Sequence, residues 1–151
     1  MPPVARRHLY LALLLGLVAC GEEPRPTSGS QYSLMLVVES PRHLTPERER
    51  ALAPVSDTGV ALLRVERMSG DTGFGSYSGP PSHFWPLFRG IGNRFHLIRH
   101  GAEWRIVLDP DGRDAGMELE GRAHGDTVRG RWRARTSTPA ATGRFLLAPA
   151  S

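Results

Sequence analysis

The sequence predicts an all-β fold, a small antiparallel up-and-down barrel of about eight strands. From Gln31 onward, short runs of β-branched and apolar residues alternate with Gly, Pro and Asp at roughly even spacing. Helical periodicity is nearly absent from the same region. One pair of runs also forms a hairpin whose register and turn agree. Closure into a barrel is favoured because it removes exposed strand edges.

The 151 residues have room for one domain, which is large enough to bury a core. The predicted strands are Tyr32–Glu39, Thr58–Arg67, Gly73–Gly79, Arg94–His100, Glu103–Asp109, Ala115–Ala123, Thr127–Arg135 and Thr142–Ala148. A short helix is predicted between the first two strands, over residues 45–52. Thr45 suits the N-cap there, and Pro46 suits the first helical position.

An internal repeat predicts two similar hairpins. Residues 67–77 match residues 122–132, because both contain Gly-Asp-Thr, a later glycine and an aromatic residue two positions beyond it. A Gly-Asp pair between strands suits a two-residue turn, since both residue types tolerate positive φ. A glycine within a strand marks a bulge, a bend or a close approach of the backbone.

The side chains of the second hairpin test this interpretation, with residues 125–126 as the turn. The apolar face then pairs Met117 with Ala134, Leu119 with Trp132, Gly121 with Gly130 and Ala123 with Val128, and the other face pairs Glu118 with Arg133 and Glu120 with Arg131. One apolar and one charged face is the pattern of an antiparallel sheet with one side in water.

In the first hairpin, the equivalent pairing puts Arg64, Glu66 and Tyr77 on one face, and Leu63 and Phe74 on the other. Strict analogy with the second hairpin points Arg64 and Glu66 into the barrel. Buried charges are costly unless they are paired, and they often mark a binding site. The apolar character of the Leu63 face favours instead a hairpin turned the other way.

The first twenty residues resemble the signal of a bacterial lipoprotein. Arg6 and Arg7 precede an apolar run over residues 9–19, which is too short to cross a bilayer as a helix. The run ends at Leu17-Val18-Ala19-Cys20, which resembles a lipobox. The resemblance implies cleavage before Cys20 and acylation of Cys20 with more than one chain, palmitate included, as stable anchoring requires.

These interpretations divide the chain into a signal peptide (1–19), a lipidated cysteine with a flexible tether (20–30) and a β-barrel domain (31–151). Gly21 occupies the position where Asp retains lipoproteins at the inner membrane in bacteria that resemble the well-studied diderms. We therefore expect the outer membrane, with the domain facing the periplasm. Cys20 is the sole cysteine, so no disulfide is expected.

The end of the chain resembles a second family. Gly125-Asp126-Thr127-x-x-Gly130-x-Trp132, followed by Gly143-x-Phe145, is similar to the small lipocalin-like (calycin-type) barrels of bacterial lipoproteins. True lipocalins carry Gly-x-Trp in the first strand, and the first strand here lacks it. The resemblance therefore implies a generic barrel of this type.

The sequence contains no pattern of catalytic residues, so we expect neither an enzyme nor a cofactor. His96 and His100 lie on one face of a strand but roughly 13 Å apart, too far to bind one metal ion. The Asp-rich stretch 109–114 lacks the final Glu of an EF-hand and is better explained as a turn. A net charge of +4, half of it from Arg6 and Arg7, is too small for a nucleic-acid-binding surface.

The predicted function is a membrane-anchored module that binds a small, largely apolar ligand inside the barrel. The predicted ligand-binding residues are Leu119, Trp132 and Phe145 inside the barrel, Tyr77 in the first hairpin, and Phe84 and Trp85 in an aromatic loop at the barrel mouth. The alternative is a structural or protein-interaction lipoprotein whose barrel is filled by its own side chains. Arg129, Arg131, Arg133 and Arg135 form an outward row that is either a solvated face or a surface for lipid phosphates.

Overall fold

The computed structural model describes residues 25–40, 58–79, 92–112, 116–135 and 142–151. The strands are β1 (Gln31–Ser40), β2 (Thr58–Ser69), β3 (Thr72–Ser78), β4 (Arg94–His100), β5 (Glu103–Leu108), β6 (Met117–His124), β7 (Thr127–Ala134) and β8 (Thr142–Pro149). Each pairs antiparallel with the next, and β8 pairs with β1 to close the barrel.

The predicted fold class is therefore confirmed, and the strand bounds agree to within one or two residues. The short helix predicted over residues 45–52 lies outside the described residues. Within the described ranges, no helix is long and apolar enough to span a bilayer.

Alternating burial shows which side chains fill the barrel. Along β2, Ala61, Leu63 and Val65 are buried, and the residues between them are exposed. The same alternation recurs around the barrel, so that the inward side chains of all eight strands form one hydrophobic core. A single buried face of this kind fixes the register, because a slip by one residue would turn the apolar side chains outward.

The two ends of the barrel differ in their connections. At one end, tight turns join β2 to β3, β4 to β5 and β6 to β7, and the chain enters there at Gln31. Gly70, Gly101 and Gly125 have φ of +60°, +59° and +61° in these turns. Asp71 and Asp126 do not share the positive φ, so the Gly-Asp turns resemble type II′, which places Gly at the first central position. The longer connections, residues 41–57, 79–93, 109–116 and 135–141, join strands at the opposite end.

The ordered chain extends before β1. Residues 27–30 form a turn in which the Ser30 N–H donates to the Thr27 carbonyl over 3.0 Å. Gly29 donates to the Val65 carbonyl over 2.8 Å, and Val65 donates to the Ser30 carbonyl over 2.9 Å. The flexibility predicted for the tether therefore does not include these residues, because their backbone groups bond to β2.

A bulge at Glu66 alters the first hairpin. Near the turn, Met68 faces Gly73, whereas beyond the bulge Leu63 faces Tyr77. The extra residue turns both Glu66 and Arg67 outward and returns Val65 to the inward face. The assignment of Tyr77 to the face of Arg64 was therefore wrong, since Tyr77 is buried with Leu63.

The bulge also affects the positions of Phe74 and of the charged residues of β2. Phe74 is only half-buried and lies under the Arg67 guanidinium, 4.9 Å from the ring centroid. Arg64 and Glu66 point outward, as expected for a hairpin turned the other way, so the inward polar site does not exist. The Glu66 carboxylate instead accepts a hydrogen bond from Ser76 and pairs with Arg94.

Glycines on the inward face make room for large side chains of neighbouring strands. A Cβ at Gly143 would lie 2.7 Å from Trp132 Nε1, and a Cβ at Gly121 would lie 2.7 Å from the end of the Phe145 ring. At Gly75, a Cβ would lie 2.8 Å from the Phe95 ring. Each of these distances is below contact, so the core packs large rings directly over bare backbone.

Gly143→Ala should destabilise the barrel by about 3 kcal/mol or more, because its Cβ has no room to move away. The new atom would lie 1.8 Å from the Val37 carbonyl oxygen as well as against Trp132. Gly125→Ala is the matched control, since it adds the same methyl group where nothing lies within 4 Å. Its left-handed φ should cost about 1 kcal/mol. Equal losses in urea unfolding would contradict the packing explanation.

Candidate functional site

Three of the predicted ligand-binding residues meet inside the barrel. Leu119, Trp132 and Phe145 are 0%, 1% and 4% exposed and belong to the same core cluster. Trp132 and Leu119 face each other across β6 and β7, as predicted. Trp132 Nε1 donates to the Val37 carbonyl on β1 over 3.1 Å. The structure thus brings these residues together, and their ligand-binding role stays a prediction that would require the packed side chains to separate.

Tyr77 lies near the end with the longer connections. Its hydroxyl donates to the Gly92 carbonyl. Burial, and then the charge of Asp109, raise the pKa of Tyr77 far above its ordinary value. Tyr77 is therefore a neutral, hydrogen-bonded part of the core. Phe84 and Trp85, the predicted aromatic loop, lie outside the described residues.

The interior, including the end with the longer connections, is filled by apolar side chains. Leu34, Leu36, Val65, Leu108, Met117 and Leu119 have no accessible surface. A side chain without accessible surface borders no space that admits a water molecule, so these residues line no cavity. Packing of this density is usual in protein interiors.

The end with the tight turns carries a small polar cluster. Tyr32 packs edge-to-face on Trp104, with ring centroids 6.1 Å apart. Trp104 Nε1 and Arg99 Nε are buried without hydrogen-bond acceptors among the described residues. Arg99 also reaches Asp71 through Nη2, over 3.2 Å. Trp104 Nε1 and Arg99 Nε are both shielded from water, and burying a polar group without a hydrogen bond costs free energy. This cluster is therefore part of the packed interior and not an open site.

On the outer face, one carboxylate is held between two arginines. Glu118 on β6 is 6% exposed, the sole buried charged residue among those the structure describes. Arg105 on β5 donates through Nε to Oε1 over 2.6 Å, and Arg133 on β7 donates through Nε to Oε2 over 2.9 Å. Both arginines also bond through Nη2. The two bidentate contacts join three neighbouring strands.

Opposing effects act on the Glu118 carboxyl group. Burial raises its pKa, but the hydrogen bonds and positive charges of Arg133 and Arg105 outweigh burial and hold the pKa below its ordinary value. Glu118 in turn raises the pKa of Arg133. The arrangement is therefore a permanent ion triad at neutral pH, without a proton to exchange.

The arginine row on β7 is only partly neutralised. Arg133 is bound by Glu118, whereas Arg129 and Arg131 have no ion pair with any described residue. Glu120 faces Arg131 in register, as predicted, but the two do not form a salt bridge. On β8, Arg144 pairs with Glu39. The outer surface of β7 thus carries two unpaired positive charges.

Sequence reasoning missed an apolar patch on the outer surface of β1 and β2. Met35, Val60 and Leu62 are 36%, 51% and 40% exposed, although they are large and apolar. The signal was the uninterrupted apolar run Leu34–Val38, which places apolar side chains on both faces of β1. Exposed apolar patches on soluble domains often mark interaction sites.

Within the described parts of the chain, no three His, Asp or Glu residues are close enough to hold a metal ion. His96 is half-buried on the outer side of β4. Partial burial, followed by the charges of Arg105 and Arg135, lowers its pKa. Asp109 uses its carboxylate to accept a hydrogen bond from the Gly92 N–H over 2.9 Å.

The comparisons with known proteins relate this chain to others through its fold alone. No protein-family model matches the sequence, and a search of curated proteins found no match. Among solved structures, the bradavidin2–biotin complex matches with a TM-score of 0.52 at 10% sequence identity. The match covers 83% of this chain and 100% of bradavidin2. The chain is thus a small eight-stranded barrel with an avidin-like structural neighbour, in agreement with the calycin-type architecture that the sequence predicted.

Glu118→Gln should lower the free energy of unfolding by about 1–3 kcal/mol, because hydrogen bonds to charged groups carry this weight. The loss is limited by the exposure of Arg105 and Arg133, whose side chains are 53% and 63% accessible. Glu103→Gln is the matched control. Glu103 is 75% exposed and lies 3.9 Å from Arg122, so its loss should be below about 0.5 kcal/mol.

The same pair of variants should separate in their pH dependence. The pKa of Glu118 is lower in the folded than in the unfolded chain. Its stabilisation is thus fully present above the unfolded value, near 4.3, and is lost as pH falls through the folded value. The difference between wild type and Glu118→Gln should therefore shrink on acidification. A difference that stays constant would contradict the ion triad.

Proposed function

We propose that this chain is a lipid-anchored protein of the bacterial cell envelope that acts through the outer surface of a barrel filled by its own side chains. The main support for this proposal is the close fit of the side chains inside the barrel to one another and to the backbone. Large rings lie over glycines at Gly75, Gly121 and Gly143, and the side chains between them have no accessible surface. A barrel that had to admit a ligand at its centre would have to expel these rings.

The cost of expelling the rings supports the same proposal. Moving Trp132 would break its hydrogen bond to the Val37 carbonyl inside the barrel wall, which costs free energy. The glycine beneath it offers no side chain to fill the resulting space. We therefore assign the barrel the role of a rigid scaffold and assign binding to its exterior.

The sequence supports the anchor. Arg6 and Arg7, the apolar run over residues 9–19 and the Leu17-Val18-Ala19-Cys20 segment resemble a lipoprotein signal. The described residues begin at Arg25, and the chain bonds to β2 through Gly29, so only a short segment separates Cys20 from the barrel. An acylated Cys20 would hold the barrel close to the membrane surface.

A second candidate is a small-ligand binding module whose site lies at the end of the barrel opposite the tight turns. It is favoured by one observation, the fold similarity to a protein whose solved structure is a biotin complex. Phe84 and Trp85, which belong to one of the longer connections, would supply apolar contacts. In this second candidate, the ligand would lie on top of the packed side chains that fill the barrel.

Cys20→Ala should leave the barrel folded and abolish its membrane retention, because acylation is the proposed anchor. The measurement is the share of protein in the membrane fraction after a carbonate wash, together with radiolabelled palmitate incorporation in cells that process lipoproteins. Gly21→Asp is the matched control, since it keeps the cysteine. It should remain acylated and shift from the outer to the inner membrane. Retention of Cys20→Ala in the washed membranes would overturn the anchor.

Native mass spectrometry of protein purified from its own membrane should give the mass of the acylated chain without a small molecule. Leu119→Ala serves as the comparison, because it removes buried volume from the centre of the core and leaves a cavity. The variant should lose about 2–5 kcal/mol of stability. A small ligand retained by the wild type and lost in Leu119→Ala would contradict the filled scaffold and favour the predicted interior site.

A further inference from the structure

We propose that the outer face of β2, β1, β8 and β7 is a docking surface for an anionic lipid bilayer. The proposal deepens the proposed function, since it names what the outer surface binds. It rests on a partly exposed apolar patch that is bordered on two sides by arginines without an ion pair to any described residue. We call this patch the β1 patch and define it as Met35, Val37, Val60, Leu62 and Leu146.

Strand register makes the β1 patch continuous. Met35 faces Val60 on one side and Leu146 on the other. With strands about 4.8 Å apart, these three side chains form an apolar row across β2, β1 and β8. Val37 lies two residues further along β1, and Leu62 lies two residues further along β2 in the opposite direction. An open groove of about 530 Å³ runs over this face and is lined by Met35, Val37, Leu146 and nearby arginines.

Positive charge lies on both sides of the β1 patch. Arg129 on β7 faces Leu146 in register, so it extends the apolar row directly, and Arg131 lies beside it. On the other side, Arg64 follows Leu62 on the outer face of β2. Among the described residues, none of these three arginines forms an ion pair. The surface is therefore apolar at its centre and cationic at its borders.

Three carboxylates lie on or beside this face. Glu39 is bound by Arg144, and Glu66 is bound by Arg94 and Ser76. Glu120 faces Arg131 in register and forms no salt bridge with it. Among the described residues, the positive charges of Arg64, Arg129 and Arg131 are therefore not balanced by direct ion pairs. A second copy of the chain does not balance them at this face, because it would bring one cationic border against another. Anionic headgroups above an apolar layer provide both the charge and the apolar contact.

The course of the chain brings this face to the membrane. The described chain begins at Arg25, and residues 27–30 run along β2 through hydrogen bonds to Val65. The five Cα–Cα steps from Cys20 to Arg25 span roughly 18 Å when fully extended. With Cys20 acylated, β1 and β2 thus lie within reach of the headgroups. The apolar groups and arginines of this face would then add a second, reversible contact to the anchor.

The experiment uses an unlipidated chain that starts at Gly21, which retains all eight strands and every described core residue. Binding is measured by co-sedimentation with phosphatidylcholine vesicles, with and without phosphatidylglycerol. We expect binding to the vesicles that contain phosphatidylglycerol, weak binding to the neutral ones, and loss of binding as salt rises. Because no acyl chain is present, the result does not depend on whether Cys20 is modified. The Cys20→Ala experiment decides that question separately.

Arg129→Gln with Arg131→Gln should weaken the partition to anionic vesicles on the order of tenfold or more, since each arginine near such a surface contributes about fivefold. Arg129→Lys with Arg131→Lys should restore binding. Val60→Ser with Leu62→Ser should weaken it without changing the net charge. The matched control is Arg94→Gln with Arg122→Gln, which removes the same charge from β4 and β6, outside this face, and should have little effect. Circular dichroism verifies that each variant is folded.

Three outcomes would overturn the proposal. The first is equal binding to neutral and anionic vesicles, or no binding to either. The second is an equal loss in the Arg94 and Arg122 control, which would indicate a response to net charge alone. The third is a change in sedimenting mass, rather than in vesicle binding, for Val60→Ser with Leu62→Ser. That result would identify the β1 patch as an interface between copies of this chain.

Discussion

The structure depends on the contact of Trp132, on β7, with the backbone of β8 and β1. The indole ring lies over Gly143 on β8, and its N–H donates to the Val37 carbonyl on β1. This one side chain therefore links the last two strands to the first, where the barrel closes. Since a Cβ at Gly143 would collide with both the indole and the carbonyl, the glycine is as necessary as the tryptophan.

Much of the fold was predictable because the barrel is built from local hairpins. In the second hairpin, the Gly-Asp turn and the two-residue alternation fix every pair, and each predicted pair is present. The first hairpin has the same turn, and its β3 residues Gly75 and Tyr77 occupy inward positions equivalent to Gly130 and Trp132. Only the bulge at Glu66 breaks the analogy. A bulge arises from the whole strand, and no residue type in β2 signals it.

The contacts of the outer surface were harder to predict, since they join strands that are not paired in one hairpin. The sequence paired Glu118 with Arg133, but the second arginine comes from β5, whose register with β6 has no tight turn to define it. The β1 patch was likewise missed, although its apolar run is visible in the sequence. Its exposure depends on what lies on the outer side of β1, and hydrophobicity alone does not reveal that.

The packing of the interior and the charge of the exterior together decide where the barrel can bind. Inside, rings packed over glycines leave no free polar group at the centre, and separating them would uncover unsatisfied hydrogen-bonding groups. Outside, the ion pairs are distributed unevenly. Glu118 neutralises arginines on β5 and β7, whereas Arg129, Arg131 and Arg64 form no ion pair with any described residue and lie around exposed apolar side chains. An anionic partner would neutralise these charges and cover the apolar side chains at the same time. The face around β1 is therefore better suited to binding than the filled interior.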